Sequence, residues 1–312
     1  MQEVEMQFTS DVDAYFRAQV ALGIHKERGA HHDEEEEEEE EEHSGHEDFV
    51  LHVEEAFIET INISGHTLKA GQFYVNFGKY NAVHTHALPF IYRPMIQQAV
   101  FGGDGLTQAG FGYSTLIPTS WFSELNIQIF EPNNETLFGE SKHAMAATAR
   151  WKNLWDITDN LTLEWGLSGM NYAPKDSEDE NSNYTALQGS DLTFKWRPAS
   201  KSIYNSFIWS TEFLKKYRRG EEREQLDGWM SFMRYQLDRR WYVQAQYESL
   251  DVQFSDENVD TEAYSALLAF VSSEFSAIRL QYDQIDYKSL EREQRIALQF
   301  NISIGAHPAH AY

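Results

Sequence analysis

Histidines that stand beside carboxylates are the residues of this sequence best suited to chemistry. A run of ten consecutive acidic residues, 33–42, has histidine on both sides. Its candidate metal ligands are His31, His32, His43, His46, Glu47 and Asp48. Like charges in a run repel one another and do not pack, so we expect an exposed, extracellular acidic loop over residues 27–47. Imidazole with carboxylate suits Zn²⁺, Ni²⁺ or Cu²⁺. The loop is therefore predicted to capture divalent metal weakly, with a merely solvated acidic loop as the alternative.

A second candidate site lies in the long segment 81–104. His84 and His86 share one face if the backbone is extended, so both could reach one metal ion. The alternative is that the two rings only form hydrogen bonds inside a packed loop. A loop of this length in a compact domain is usually functional, and we expect it to fold into the interior and narrow it.

Three charged or aromatic residues of that segment are candidates for a pore constriction. They are Tyr92, Arg93 and Asp104, with Arg93 as the charge that shapes ion selectivity. A weaker metal-binding pair, His307 and His310, stands near the last residue of the sequence.

These side chains need a scaffold, and the sequence predicts strands throughout. Apolar and polar residues alternate with period two over 161–168, 241–248 and 298–304, which is typical of strands with one apolar face. The strands approach the length of about 9–11 residues that crosses a bilayer when tilted. The other face carries Glu, Gln, Asn and Arg, as the wall of a water-filled interior would.

The predicted architecture is all-β, a single closed antiparallel transmembrane β-barrel over 1–312. We count about fourteen strands, the first spanning 11–26, with twelve to sixteen open. Short and long connections alternate along the chain, which is typical of periplasmic turns and extracellular loops. Both termini are then expected in the periplasm.

Composition limits the partners and the chemistry. The net charge of −25 disfavours nucleic acid and favours divalent cations, while outer-membrane lipid is the expected surroundings. The chain has no cysteine, so thiolate metal sites are excluded. None of the G-x-S-x-G, H-E-x-x-H or phosphate-binding glycine motifs occurs, and we expect no enzyme activity. No cofactor is expected to be required, and Zn²⁺ or another divalent cation is the candidate ligand.

Four stretches together resemble a known family. They are the His/Glu-rich first loop, residues 54–58 with 71–78, residues 84–94 with 102–106, and the tail 305–310. The sequence resembles bacterial outer-membrane barrels described as zinc-regulated or zinc-associated, porin-like proteins. The resemblance implies an outer-membrane location and a role in divalent-metal passage.

The leading functional hypothesis is a porin-like channel that passes small cationic solutes, with zinc as the expected metal. The alternative is a closed barrel that acts as a surface metal-binding protein, receptor or adhesin and transports nothing. An outer-membrane hydrolase is the third and weakest hypothesis. Monomer and trimer both remain open, because a closed barrel has no strand edge that a partner must cover.

Overall fold

The fold is one antiparallel sheet in which every strand pairs with its neighbours in sequence. The computed structural model describes residues 4–26, 49–139, 144–173, 184–219, 224–253, 258–288 and 291–305, and within them the sheet has 15 strands. The strands are β1 (Val4–Asp11), β2 (Phe16–Lys26), β3 (Phe49–Thr60), β4 (His66–Tyr74), β5 (Thr107–Leu116), β6 (Phe122–Phe130), β7 (Ala146–Thr158), β8 (Leu161–Tyr172), β9 (Tyr184–Trp196), β10 (Phe207–Arg219), β11 (Glu224–Gln236), β12 (Trp241–Gln253), β13 (Asn258–Ser273), β14 (Ser276–Tyr287) and β15 (Glu293–Ile302).

Within the described residues, helical structure is found in two connections between strands. A single 3₁₀ turn (Thr85–Ala87) and helix α1 (Met95–Phe101) lie between β4 and β5, and helix α2 (Glu135–Phe138) lies between β6 and β7. None of the helices in the described ranges is long and apolar enough to cross a membrane.

The strands carry apolar side chains outward and polar side chains inward. On β6, Ile127 and Ile129 are exposed, whereas Asn126 and Gln128 are buried. On β14 the exposed residues are Ile278, Leu280 and Tyr282, and the buried residues are Arg279, Gln281 and Asp283. This inversion of the usual pattern suits a sheet whose outer face contacts lipid.

The predicted strand count needs correction. The structure replaces the first predicted strand, 11–26, with the hairpin of β1 and β2, because the Asp13 carboxylate accepts hydrogen bonds from the backbone N–H groups of Tyr15 and Phe16 and holds a tight turn. Because the number of antiparallel strands is odd, β1 and β15 run in the same direction. Val4 begins β1 and Ile302 ends β15, so these two residues lie at opposite ends of the strands. The prediction that the two ends of the chain lie on one side therefore does not hold for the described residues.

The two ends of the strands differ in their connections. The short hairpins 159–160, 237–240 and 274–275 lie at one end, which we call the turn end. The segments 75–106 and 131–145 lie at the other, which we call the loop end.

The sheet curls around the residues between β4 and β5, which we call the inserted segment (75–106). Glu5 of β1 contacts His86 of this segment, with 2.7 Å between the carboxylate oxygen and Nδ1. The backbone carbonyl of the same His86 accepts hydrogen bonds from Arg279 of β14 at 3.0 Å and from Asn301 of β15 at 2.7 Å. Strands from both edges of the sheet therefore meet at one residue. No backbone pairing joins β1 to β15 in the described part of the chain.

The interior at the loop end is apolar and tightly packed. The inserted segment, α2 and the inward faces of β6–β11 contribute to it. Its largest members are Phe77, Phe101, Phe130, Phe138 and Tyr172. The interior at the turn end is more polar and contains a cavity of about 490 Å³.

Candidate functional site

The inserted segment is held in one conformation by its own polar side chains. The Asn81 amide donates to the carbonyls of Val75 and Leu106 at 2.7 and 3.1 Å, and its Oδ1 accepts from the N–H of Leu106 at 2.8 Å. Arg93 donates to the carbonyls of Tyr80 and Val83 at 3.3 and 3.2 Å. Asn81 therefore fastens the base of the segment, and Arg93 fastens its middle.

A single helical turn presents the two histidines of the segment. The backbone N–H of Ala87 donates to the carbonyl of His84 at 2.9 Å, which closes the turn. Leu88 then adopts an extended conformation (φ −62°, ψ 143°), as the residue before Pro89 is expected to do. The backbone from His84 to His86 is therefore a turn and not extended, and the turn still brings both rings to the same side.

Carboxylates surround the imidazole of His84 on both of its nitrogens. Nδ1 lies 3.1 Å from a Glu5 oxygen and 3.2 Å from a Glu54 oxygen, and Nε2 lies 3.1 Å from a Glu55 oxygen. Glu5 also contacts His86, so one carboxylate bridges the two histidines. We call these five residues the His84 cluster.

The carboxylates control the charge of His84. Burial opposes the imidazolium, but hydrogen bonds to Glu5, Glu54 and Glu55 outweigh burial and raise the pKa of His84 to about 12. In the absence of a metal ion, His84 is therefore a cation at neutral pH. Three carboxylates against one imidazolium leave the cluster with a net negative charge, so it favours a further cation.

Glu5, His84 and His86 have the geometry of a candidate metal site. One ligand atom from each residue lies within 4.8 Å of the other two, and all three residues are half-buried. Two imidazoles and a carboxylate form a donor set found in zinc sites with an open coordination position. A metal ion would have to displace the proton of His84, because only the neutral imidazole is a ligand.

The cavity at the turn end reaches the two histidines. His84 and His86 line its wall together with residues of the inserted segment and of β7–β14. A solute in the cavity would therefore contact the His84 cluster.

The residues predicted for a constriction do not come together. Arg93 is buried and binds backbone carbonyls inside the inserted segment. The ring of Tyr92 packs under the guanidinium of Arg295 at 3.9 Å, and Asp104 is exposed near the loop end. None of the three lines the cavity among the described residues, and their grouping as a pore constriction stays a prediction.

Several other predicted ligands lie outside the described residues. They are the acidic loop 27–47 and His31, His32, His43, His46, Glu47, Asp48, His307 and His310. Their metal binding stays a prediction.

The sequence analysis missed the carboxylates of the His84 cluster. Glu5 is 81 positions from His86, and Glu55 is 29 positions from His84, so local spacing could not relate them. One feature of the sequence could have indicated these carboxylates, namely the adjacent acids Glu54 and Glu55 within a strand. Glu55 falls on the inward face of this strand, whose outward face carries apolar residues.

Comparisons with known proteins identify the fold. No family model matches the sequence. An uncharacterized protein of Aquifex aeolicus (strain VF5) is 28% identical over 304 residues, covering 83% of this chain and 63% of that protein. The chain thus spans less than two thirds of the length of this relative.

Solved outer-membrane proteins share the architecture. A loop-deletion mutant of OmpT from Vibrio cholerae has a TM-score of 0.60 at 8% identity, covering 96% of each chain. A trimer form of OmpT gives 0.54 at 8% identity, covering 92% of this chain and 86% of that one. The outer membrane channel DcaP of Acinetobacter baumannii gives 0.56 at 10% identity, covering 97% and 84%. At these identities the likeness establishes the fold, that of outer-membrane β-barrels.

Proposed function

We propose that this protein is an outer-membrane barrel that forms a narrow porin-like channel with a divalent-cation site on its inserted segment. The carrying observation is the His84 cluster, in which two histidines that line the cavity are contacted by three carboxylates. The apolar outer face and the likeness to outer-membrane barrels support the location. No covalent step is part of the proposal.

Closure of the sheet into a barrel belongs to this proposal. Contacts from both edges to His86 support it, because they bring β1 and β15 to the same place. Since β1 and β15 run in the same direction, closure requires either a parallel pair or an additional strand between them. Hydrogen exchange tests closure: slow exchange of the edge amides of β1 and β15 in detergent supports it, and fast exchange indicates open edges.

The closed-barrel hypothesis is retained because one observation favours it. The apolar cluster at the loop end fills the interior with side chains such as Phe77, Phe101 and Phe130, which leaves little room for water. A channel then requires a path beside the inserted segment. Single-channel conductance in a planar bilayer separates the two: steady conductance supports the channel, and its absence supports a closed metal-binding barrel.

Metal binding is tested independently of transport. Because the chain has no cysteine, Co²⁺ reports nitrogen and oxygen ligands without thiolate bands. We expect Co²⁺ and Zn²⁺ binding to the detergent-folded protein to weaken at least tenfold in His86→Ala. Loss of a mere outer-shell partner of a metal ligand already costs about 10–100-fold in affinity, and His86 is a candidate direct ligand. His66→Ala is the matched control, because His66 is exposed and contacts Tyr113 and Thr115 instead. Equal affinity in the two variants would remove the metal site from the proposal.

The acidic loop is proposed to gather cations at the channel mouth. A variant that lacks residues 27–47 should bind Zn²⁺ with fewer weak sites and keep the site at Glu5, His84 and His86. Loss of all binding on deletion would assign the metal to the loop alone.

A further inference from the structure

Three lysines surround one carboxylate on the cavity wall. The net charge of this group is positive, whereas that of the His84 cluster is negative. Lys79 Nζ lies 2.9 Å from Oε1 of Glu164, Lys152 Nζ lies 3.9 Å from the same oxygen, and Lys195 Nζ lies 3.9 Å from Oε2. Lys79 also donates to Thr193 at 2.8 Å. The group carries three positive charges and one negative charge.

Among the described side chains that line the cavity, positive charges outnumber negative ones. Glu164 is the one carboxylate among the described residues that line the cavity. Arg234 and Arg279 also line it, and they donate hydrogen bonds to the backbone carbonyls of Pro89 and Leu88. A low-dielectric wall with excess positive charge attracts anions.

The three lysines differ in exposure, which separates a structural role from a binding role. Lys79 has 13% of its side chain exposed and contacts Glu164 directly, so it is sufficient to neutralise that carboxylate. Lys152 and Lys195 have 36% and 41% of their side chains exposed and stand at the longer distance. Their ammonium groups can therefore turn toward a solute while Lys79 keeps Glu164 paired.

The environment of Lys79 agrees with a surplus of positive charge. Burial lowers the pKa of Lys79, and the nearby charge of Lys195 adds to the lowering, against the opposing attraction of Glu164.

We infer that Lys152 and Lys195, beside the Lys79–Glu164 ion pair, form a binding site for a small dianionic oxyanion that enters the cavity from the turn end. Lys195 is next to the last residue of β9, where that strand reaches the turn end, so the site opens in that direction. Two exposed ammonium groups at the longer distance from Glu164 match two negative charges. The inference goes beyond the cation site, because it assigns ligands of opposite charge to two walls of one cavity.

Sulfate and acetate are the probes, since they carry two charges and one charge throughout the neutral pH range. Isothermal titration of the detergent-folded protein is expected to show one sulfate site, with acetate bound at least tenfold more weakly. The double variant Lys152→Gln/Lys195→Gln should lose sulfate affinity by at least tenfold, because charged hydrogen bonds are worth about this much each.

Two further variants make the test specific. Lys215→Gln is the matched control: its side chain is 38% exposed, it pairs with Asp227, and it is not among the residues lining the cavity. Glu164→Gln removes the internal carboxylate and should strengthen sulfate binding severalfold. Near-ultraviolet circular dichroism confirms that each variant is folded.

The outcomes decide the inference without any conductance measurement. A weaker site in the double variant, an unchanged site in Lys215→Gln and a stronger site in Glu164→Gln support it. Absence of sulfate binding, or equal affinity in the double variant and the unmodified protein, overturns it and leaves the lysines as neutralising partners of Glu164. Because the readout is binding, a protein that conducts no ions would still test the site.

Discussion

Lys79 and His84 stand five positions apart in the inserted segment, yet the charged groups around them differ in sign. Around His84, three carboxylates face one imidazolium. Around Glu164, three lysines face one carboxylate, and Lys79 is the nearest of them. The inserted segment therefore separates charge across a single cavity. In each cluster one charge is surrounded by three charges of the opposite sign: an imidazolium in the first and a carboxylate in the second. Removing that single charge leaves like charges together. It should therefore lower the free energy of unfolding more than removing one of the three, and we call it the minority charge.

The largest effect is expected from removing the minority charge of the His84 cluster. His84→Ala leaves Glu5, Glu54 and Glu55 close together without their cation, and loss of one partner from a mostly buried ion pair costs about 3 kcal/mol. Thermal unfolding in detergent with a chelator present measures the loss. His66→Ala, at an exposed site, should change stability by less than about 1 kcal/mol. A difference between the variants within experimental error would contradict the assigned role of His84.

A second effect concerns the backbone that leads to Lys79. Gly78 has φ +64°, and a Cβ there would lie 2.2 Å from a carboxylate oxygen of buried Glu212. Gly78→Ala therefore combines strain with a clash and should cost about 2 kcal/mol. Gly103 is exposed, with open space where a Cβ would point, so Gly103→Ala serves as control in the same melting experiment. Equal melting temperatures would show that the segment adapts freely at Gly78.

Comparing two carboxylates tests the charge separation directly. Glu164→Gln leaves three lysines together and should destabilise the protein by about 1.5 kcal/mol. Glu54→Gln removes one of several acids around His84 and should cost clearly less, because repulsion from Glu5 and Glu55 is relieved at the same time. The reverse order would refute the comparison between the two clusters.

The smallest effect is a dependence on pH in the metal-free protein. The pKa of His84 is raised from 6.5 to about 12 in the folded state. The stabilisation from its ion pairs is fully present below pH 6.5 and is lost as pH rises toward 12. The free energy of unfolding should fall by at most about 1.4 kcal/mol between pH 7 and pH 8. His84→Gln should flatten this slope, and an equally steep slope in that variant would assign the titration to another group.

Much of the sheet could be predicted because strand patterning is local. The alternation over 161–168 and 241–248 corresponds to β8 and β12, since side chains of a strand point alternately to its two faces. The hairpin of β1 and β2 was missed because its turn, 12–15, contains neither glycine nor proline. A side chain stabilises this turn instead, because the Asp13 carboxylate accepts hydrogen bonds from two backbone N–H groups.

The candidate site could be predicted only in part. His84 and His86 stand out by type and spacing, and the structure brings them together. Arg93 drew attention as a charge in a long loop, but its guanidinium satisfies backbone carbonyls within the inserted segment. A charge in a loop is equally suited to a pore and to a buried hydrogen bond, and the sequence holds no information that separates these uses.

By itself the sequence determined the class of fold, the apolar outer face and the histidine pair, because each follows from residue type at short range. The tertiary structure alone decided which charges meet. The curl of the sheet around the inserted segment brings Glu5 to His86 across 81 positions and Arg279 to the same residue across 193. Contacts over such separations depend on strand count, register and the path of the segment, and a local pattern constrains none of these.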